Sequence, residues 1–315
     1  MTADEDVPHD VPHLEPAFRR YAKLSDAERI AWIQADRWIA FDQAQAALDR
    51  LDALLAYPPR DRMPCLLIYG ATGMGKTKIL RKFERGHPAK LCQTSGVTLR
   101  PVVVAQIPPE PVERDLYREM LASLQAPALA GGSLAREKDV CRALLRSAGV
   151  RMIVLDEVNG MLVGTHRQQR IFLNALRFLA NDLKVPLVCA STDLARQALL
   201  TDAQLAERFE AFPLKPWSDG PTFARLLRSL ASILPLRKPS ELDHAAARQR
   251  ILALTDGVTA RIFRLVETAA VTAIRSGKER LDRESFAGED LVLPLVSTQA
   301  AERRAGRPGS HAARR

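Results

Sequence analysis

Two kinds of apolar spacing alternate in the middle of the sequence, and they predict two kinds of secondary structure. Short continuous apolar runs are typical of strands buried on both faces of a parallel sheet. Longer stretches with an apolar residue at every third or fourth position are typical of amphipathic helices. The strands are predicted at 65–69, 101–105, 152–155, 186–190 and 211–214, and the helices at 77–85, 113–124, 138–148 and 168–182. This alternation predicts an α/β fold in which helices cover a five-stranded parallel sheet.

The sequence on either side of this α/β region has helical periodicity alone. Upstream, Ser25 and Glu28 have the spacing of a capping box, which predicts that a helix begins there. Apolar residues then recur at helical spacing as far as Pro58 and Pro59, which end the segment. Downstream of Pro216 no further strand pattern occurs, and the helical spacing predicts a small second domain made of helices.

These patterns divide the chain into five sections. The first 20 residues have little periodicity, and the final stretch from Arg303 to Arg315 is basic and too poor in apolar residues to pack. We therefore expect a flexible arm (1–24), an N-terminal helical segment (25–64), an α/β core (65–214), a helical domain (215–290) and a disordered basic tail (291–315).

The net charge of +9 is unevenly distributed along the chain. Residues 1–64 contain 8 Lys and Arg against 12 Asp and Glu, whereas residues 65–315 contain 38 against 25. A chain with a basic body and an overall pI near 9.7 is typical of a protein that binds a polyanion, most simply nucleic acid, because phosphate neutralisation dominates such binding. The alternative is an ordinary solvated basic surface.

Several features bear on the compartment of the protein. No apolar run approaches the roughly 20 residues of a membrane helix, and the N-terminus is acidic where a signal peptide is basic. The four cysteines, Cys65, Cys92, Cys141 and Cys189, include no Cys-x-x-Cys pair. We therefore expect a cytoplasmic protein whose cysteines are reduced and buried.

A glycine-rich octet follows the first predicted strand directly. Its residues are Gly70, Ala71, Thr72, Gly73, Met74, Gly75, Lys76 and Thr77. The octet lies between a strand and a helix, as a phosphate-binding loop requires, and its glycines let backbone N–H groups wrap around phosphates. Lys76 is expected to contact the β- and γ-phosphates, and Thr77 to coordinate Mg²⁺. The octet therefore predicts a binding site for ATP with Mg²⁺.

Two adjacent acids, Asp156 and Glu157, end the third predicted strand. In open parallel sheets, ligands bind at the edge where the strands have their carboxyl ends. Asp156 is expected to be the carboxylate that holds Mg²⁺, and Glu157 to be the base that polarises the attacking water. A strand that simply leaves the core at two acids is the alternative, but a phosphate loop upstream favours ATP hydrolysis.

Three further positions are candidates for phosphate contacts. Thr192 ends the fourth strand and is the candidate sensor of the γ-phosphate or the water, against the alternative of an ordinary strand-end cap. Arg208 precedes the last strand and is the candidate finger that reaches a neighbouring subunit's nucleotide, against a surface arginine paired with an acid such as Glu210. Arg261, in the helical domain, is the candidate lid contact, with Arg264 as its competitor.

These motifs and the segments around them resemble the TniB family. TniB proteins are the AAA+ ATP-binding subunits of bacterial transposons that also encode a DDE-type transposase. The resemblance covers about residues 24–273 and rests on Glu28-Arg29-Ile30, on Arg37-Trp38-Ile39, on Arg62 to Gly70 with Gly75-Lys76-Thr77, and on the apolar strand that ends at Asp156-Glu157. It implies a P-loop AAA+ fold in which 65–214 is the nucleotide-binding core and 215–290 is a helical lid domain.

The resemblance also implies partners. Members of this group and their relatives MuB and TnsC assemble with ATP on duplex target DNA, and they recruit or activate the transposase. We therefore expect a homo-oligomer, ring or filament, that binds duplex DNA and a transposase, with a further transposon-encoded targeting protein as an open alternative. The candidate DNA contacts are the basic residues of plausible pore-facing segments: Arg114, Arg118, Arg136, Lys138 and Arg167. Low aromatic content favours contacts to the DNA backbone over base stacking.

Two other classes of protein compete with this interpretation. A protein-remodelling or loader ATPase would grip its substrate with an aromatic pore loop, and no aromatic-hydrophobic-glycine segment occurs between Ala105 and Asp156. A nucleotide kinase would need an acceptor pocket and a basic lid. The Asp156-Glu157 pair and the helical second domain favour ATP hydrolysis instead.

Overall fold

The chain folds into two compact units. The computed structural model describes residues 11–287 except 95, 109, 111, 128–130 and 160–164. The sheet unit comprises residues 38–215, and the helical unit combines the residues up to 37 with those from 216 onward. The N-terminal segment expected at 25–64 is thereby divided between the two units. The first ten residues of the expected arm, and the expected tail, lie outside the described residues.

Parallel strands form the centre of the sheet unit. Its strands are β1 (Cys65–Tyr69), β2 (Lys90–Leu91), β3 (Thr98–Leu99), β4 (Val102–Gln106), β5 (Met152–Asp156), β6 (Leu187–Ser191) and β7 (Phe209–Pro213). Five of them pair in parallel in the order β4-β5-β6-β1-β7, which confirms the predicted sheet. Strands β2 and β3 form a separate antiparallel pair that the apolar pattern does not predict.

The helices of the sheet unit are α2 to α8, and those of the helical unit are α1 and α9 to α11. Their bounds are α1 (Asp26–Gln34), α2 (Asp42–Leu55), α3 (Lys76–Gly86), α4 (Glu113–Ser123), α5 (Leu134–Ser147), α6 (His166–Leu183), α7 (Asp193–Leu200), α8 (Ala203–Ala206), α9 (Pro221–Ile233), α10 (Ala245–Thr255) and α11 (Thr259–Arg275). Among the described residues, none of these helices combines the length and the apolarity of a bilayer span.

The apolar strands build the core of the sheet unit. Every residue of β5 and β6 is buried, as expected for strands covered on both faces. Helices pack their apolar stripes against the sheet, and Ile79, Leu80 and Phe83 form the stripe of α3. All four cysteines are free thiols, but Cys92 next to β2 is only partly buried, which corrects the expectation that all four are buried. The short β2–β3 pair has exposed residues throughout and gives this thiol little cover.

The helical unit joins the two ends of the described chain. The capping box at Ser25 and Glu28 is confirmed, and it begins α1. One turn into α1, Arg29 is fully buried and donates to both carboxylate oxygens of Glu279 at 2.6 and 2.7 Å. Burial acts to lower the pKa of Arg29, but hydrogen bonds to Glu279 and Asp26 outweigh it and raise the pKa. The charged pair therefore fastens α1 to a segment near the end of the described chain. Residues 11–24, expected in the arm, bury Val11, Leu14 and Ala22.

A tight turn in the helical unit depends on Gly257. Its φ is +69°, and a Cβ there would lie 2.2 Å from the carbonyl oxygen of Trp217. Trp217 donates its backbone N–H to the oxygen of Gly257 at 2.8 Å, which holds the two backbones together. A side chain at this position therefore meets both an unfavourable backbone conformation and a steric clash.

We expect Gly257→Ala to destabilise the protein by about 3 kcal/mol or more, because a left-handed backbone costs about 1 to 2 kcal/mol and the clash adds to that cost. Thermal or urea denaturation measures the loss. Gly277→Ala is the matched control, since Gly277 has a φ of +71° but no atom within 4 Å of an added Cβ. Equal losses in the two variants would contradict the steric argument.

Candidate active site

The phosphate loop connects the end of β1 to the start of α3. Gly70 donates its N–H to the carbonyl oxygen of Ser191 at 3.2 Å, and a Cβ on Gly70 would lie 2.5 Å from the carbonyl oxygen of Leu214. The loop therefore leaves β1 between its two neighbouring strands, β6 and β7. The space at Gly70 has no room for a Cβ, so only glycine fits there. Gly75, with a φ of 96°, precedes the first turn of α3. The loop reaches the start of that helix, where free N–H groups favour an anion.

Lys76 lies over this loop. Its Nζ donates to the carbonyl oxygens of Gly70 at 2.7 Å and of Ala71 at 3.0 Å. Burial lowers the pKa of Lys76, and the charges of Asp156 and Glu157 partly oppose the shift. The ammonium group is thus held between the loop and the two acids. Bound phosphates would offer it stronger acceptors than these two carbonyls.

The two acids occupy different environments at the end of β5. Asp156 is only 7% exposed, and its Oδ1 accepts the backbone N–H of Glu157 at 2.8 Å. Glu157 is exposed and has a φ of 54°, which is uncommon for a residue with a side chain. The turn of the backbone after Asp156 therefore separates a buried carboxylate from one that faces solvent.

Gln106 is a site residue that the sequence did not identify. It ends β4, where it is paired in register with Asp156, and its Nε2 donates to Oε2 of Glu157 at 3.0 Å. The contact holds the carboxylate of Glu157 in one orientation. The sequence did contain a signal for Gln106, because a polar residue that ends a buried parallel strand lies at the ligand-binding edge of the sheet.

Asn159 is a second residue that the sequence did not identify. Its Oδ1 accepts hydrogen bonds from the hydroxyls of Ser191 and Thr192, both at 2.7 Å, and from the backbone N–H of Thr192 at 3.1 Å. Since Ser191 also contacts Gly70 through its carbonyl oxygen, this network links the ends of β5 and β6 to the phosphate loop. Thr192 lies at the predicted edge, and its hydroxyl is engaged by Asn159.

The residues present fit a magnesium–nucleotide complex. Within the described part of the chain, no three His, Cys, Asp or Glu side chains gather into a cluster that could hold a metal ion. Mg²⁺ in phosphate sites usually has only one or two protein ligands, and substrate phosphates and waters supply the rest. The carboxylate of Asp156 and the hydroxyl of Thr77, next to Lys76, are such a set.

The family described as "Bacterial TniB protein" matches residues 29–219. The chain belongs to the TniB family. No curated protein matches the sequence.

Solved structures with the same fold as this TniB chain include ORC and Cdc6 proteins. The ORC1 protein of Aeropyrum pernix in complex with DNA has a TM-score of 0.54 at 20% identity, over 87% of this chain and 69% of that one. Cdc6p of Pyrobaculum aerophilum has a TM-score of 0.54 at 17% identity, over 90% and 75%. Drosophila ORC bound to DNA has a TM-score of 0.54 at 14% identity, over 91% and 69%. At these identities the likeness shows the fold alone, and it confirms the predicted α/β P-loop fold.

Arg208 of the TniB chain lies far from its own phosphate loop. It immediately precedes β7, and its carbonyl oxygen accepts the N–H of Cys65 at the first residue of β1. The loop begins at the other end of β1. The length of this strand puts about 16 Å between Arg208 and the loop. The guanidinium of Arg208 donates to Oδ1 of Asn181 at 2.6 Å, while Glu210 pairs with Arg50 instead.

The five candidate DNA contacts of the TniB chain fall into two groups. Arg114 and Arg118 both pair with Glu137, at 3.5 and 3.1 Å, and Lys138 pairs with Glu113 at 2.5 Å. These ion pairs join the beginnings of α4 and α5. Arg136 and Arg167 are exposed in the first turns of α5 and α6, respectively.

Arg261 and Arg264, the candidates for a lid contact, both lie on α11 of the helical unit. The guanidinium of Arg261 donates to Oδ2 of Asp256 at 2.9 Å. The backbone oxygen of Arg264 accepts the hydroxyl of Thr268 at 2.9 Å.

Proposed function

We propose that this TniB chain is an ATP hydrolase that binds duplex target DNA in an ATP-dependent manner and recruits or activates a DDE-type transposase. The observation that carries the proposal is the convergence of the phosphate loop, the acid pair and two exposed arginines on the carboxyl edge of one parallel sheet. Family membership supports the role in transposition.

The proposed hydrolysis assigns a role to each side chain of the site. Backbone N–H groups of the loop and of the first turn of α3 bind the phosphates. Lys76 exchanges its two carbonyl acceptors for oxygens of the β- and γ-phosphates, and Glu157 takes a proton from the attacking water. Gln106 orients Glu157, and Thr192 is placed by Asn159 as the sensor of the γ-phosphate. Arg261, with Arg264 as its competitor, is the proposed contact from the helical unit.

Asp156 and Thr77 are the residues proposed to hold Mg²⁺. When bound, the ion neutralises the charge that develops between the β- and γ-phosphates. Burial of Asp156 limits the water that competes for its carboxylate, and the hydrogen bond from the N–H of Glu157 fixes one of its oxygens. These two features pre-organise the oxygen that faces the nucleotide.

The proposed DNA surface lies at the same edge of the sheet. Helices α4 and α6 begin there because they follow β4 and β5, and the Glu113–Lys138 pair places the beginning of α5 beside that of α4. Arg136 and Arg167 are favoured over the other candidates, because within the described residues neither of their guanidiniums pairs with an acid. DNA contact by Arg114 or Arg118 would compete with their ion pairs to the buried Glu137.

The proposed assembly depends on Arg208. Because it lies one strand length from the phosphate loop of its own chain, it can contact a nucleotide only across a boundary between subunits. A homo-oligomer with ATP at each boundary would couple nucleotide binding to assembly on DNA, since ATP then stabilises the oligomer by mass action.

DNA binding should depend strongly on salt and little on sequence. With a non-hydrolysable ATP analogue, the logarithm of the affinity for duplex DNA should fall linearly with the logarithm of salt, by about 0.9 per phosphate neutralised. Changing both Arg136 and Arg167 to Glu should make this slope shallower by about 1.8, because two phosphate contacts are lost. Fluorescence anisotropy on two unrelated duplexes measures the slope.

The control for this measurement replaces two cations at the opposite edge. Arg151 immediately precedes β5 and Lys184 lies three residues before β6, and their change to Glu alters the net charge equally. This control should keep a near wild-type slope and the double arginine variant should keep its ATP affinity. Tight binding that ignores salt, or that needs one short sequence and no nucleotide, would favour a protein-remodelling or loader ATPase instead.

A further inference from the structure

A cavity opens at the amino edge of the sheet, away from the phosphate loop. Its volume is about 510 Å³, which is in the range of small-molecule sites. The polar part of its wall comes from the segments before β1 and β7 and from the beginning of β7 itself: Arg60, Arg62, Gln204, Glu207, Arg208 and Glu210. The hydrogen bond from the N–H of Cys65 to the oxygen of Arg208 holds these two segments together at 2.8 Å. We call this space the amino-edge cavity.

Three of the residues that line this small cavity are arginines. Within the described part of the chain, none of their guanidiniums forms an ion pair with a carboxylate. Arg60 donates through Nε to the backbone oxygen of Arg62 at 2.9 Å and lies over the ring of Tyr57, and Arg208 binds the amide oxygen of Asn181. Among the described residues, these two oxygens are the acceptors of the three guanidiniums, so most of their N–H donors are available to a ligand. Guanidiniums in such a setting favour phosphate or carboxylate ligands, which they can bind through two parallel hydrogen bonds.

The wall also carries acids, and they limit which anion can bind. Glu210 is paired with Arg50, so Glu207 is the acid left to oppose the three arginines. A modest excess of positive charge holds a free polyanion weakly. The same excess of charge is sufficient to bind a phosphate group that another site already holds, because a tethered group acts at a high effective concentration.

The phosphate loop of the same chain cannot present that group. The cavity and the loop lie at opposite ends of β1, about 16 Å apart. The loop itself is open to the outside, because Ala71 and Thr72 are exposed. A nucleotide bound there would therefore be accessible to a second copy of the chain.

We infer that the amino-edge cavity is a second phosphate site, in which Arg60 and Arg62 act together with Arg208 on the terminal phosphates of a nucleotide held by another copy of this chain. This inference rests on the proposed nucleotide site and adds the segment before β1 to the contact. Arg60 and Arg62 neutralise charge on the terminal phosphates, and Arg208 is held by Asn181 in position beside them.

Mixing variants tests the inference. The Arg60→Ala/Arg62→Ala variant should keep its ATP affinity, while its ATP turnover should fall about tenfold or more, since cationic contacts of this kind act mainly on the transition state. The Lys76→Ala variant keeps an intact cavity but has a disabled phosphate loop. An equimolar mixture of the two variants should turn over ATP several-fold faster than the sum of the separate variants.

Two controls accompany the mixture. Arg81→Ala/Arg85→Ala removes the same charge from the exposed face of α3 and should leave turnover near that of the wild type. Titration of inorganic tripolyphosphate into Lys76→Ala tests the cavity for a free ligand, and only weak, millimolar binding is expected. Thermal denaturation and co-sedimentation establish that the variants are folded and assemble together.

Three results would overturn the inference. Wild-type turnover in the Arg60→Ala/Arg62→Ala variant would remove these arginines from the reaction. Loss of turnover without recovery in a co-assembled mixture would exclude the second copy as the source of the phosphates. Micromolar tripolyphosphate binding that the arginine substitutions abolish would assign the cavity to a free polyphosphate. Failure of the proposed nucleotide site is distinguishable, because Lys76→Ala would then bind ATP as the wild type does.

Discussion

Glu157→Gln should lower ATP turnover by about two to four orders of magnitude and leave ATP binding intact. The amide has the shape of the carboxylate but cannot take a proton from water. Gln106 can still contact the oxygen of the new amide, so the position of the side chain is preserved. Single-turnover hydrolysis and an equilibrium titration with ATP separate the two effects.

The matched control for this substitution is Glu119→Gln. Glu119 is an exposed carboxylate on α4 and lies outside the acid pair at the end of β5. This variant should hydrolyse ATP at the wild-type rate. If Glu157→Gln also retained full turnover, another residue would have to be the base.

Lys76→Ala should weaken ATP binding by about 100-fold or more. A hydrogen bond to a charged group contributes about 1.5 to 3 kcal/mol, and Lys76 is positioned to make at least two of them with phosphate oxygens. The variant also leaves Asp156 and Glu157 without the cation that faces them, so their charges would repel the phosphates. Isothermal titration calorimetry with a non-hydrolysable analogue measures the loss.

Lys82→Ala provides the comparison for Lys76→Ala. Lys82 is exposed on the same helix, beyond the first turn that meets the phosphates. Its removal should change ATP affinity by less than about twofold, since surface charges contribute little when separated by more than a Debye length. Near wild-type affinity in Lys76→Ala would mean that the glycine-rich loop is not the nucleotide site.

The parts of the site that could be predicted from sequence are those that depend on the order of neighbouring elements along the chain. The phosphate loop must follow β1 and precede α3, and the acid pair must follow a buried strand, so Lys76 and Glu157 could be proposed as site residues without a structure. Gln106 and Asn159 were missed because their roles depend on which strands are neighbours. Strand order is a property of the tertiary fold, and the apolar pattern does not contain it.

Ion pairing explains why the DNA candidates were harder to rank. In the sequence, Arg114 and Arg118 cannot be distinguished from Arg136, because each is an arginine on an amphipathic helix. Their partner Glu137 lies on a different helix and is buried, which no spacing rule along one helix reveals. Only the packing of α4 against α5 shows which arginines are engaged within the protein.

The division of the N-terminal helices was not predictable for the same reason. Residues 25–64 have continuous helical periodicity apart from a short break, yet α1 and α2 belong to different units. In the helical unit α1 packs against α11, and Arg29 is buried against Glu279. That pairing joins residues 250 positions apart, far beyond any local pattern.

The Arg29–Glu279 pair also sets an order of events during synthesis of the protein. Chains leave the ribosome at about 5 to 20 residues per second, so Arg29 waits roughly 12 to 50 seconds for a carboxylate that is made 250 residues later. Residues 38–215 are complete well before then and form a separate unit. The nascent α1 therefore remains undocked while the sheet unit acquires its fold, and it is the last part of the N-terminal region to mature.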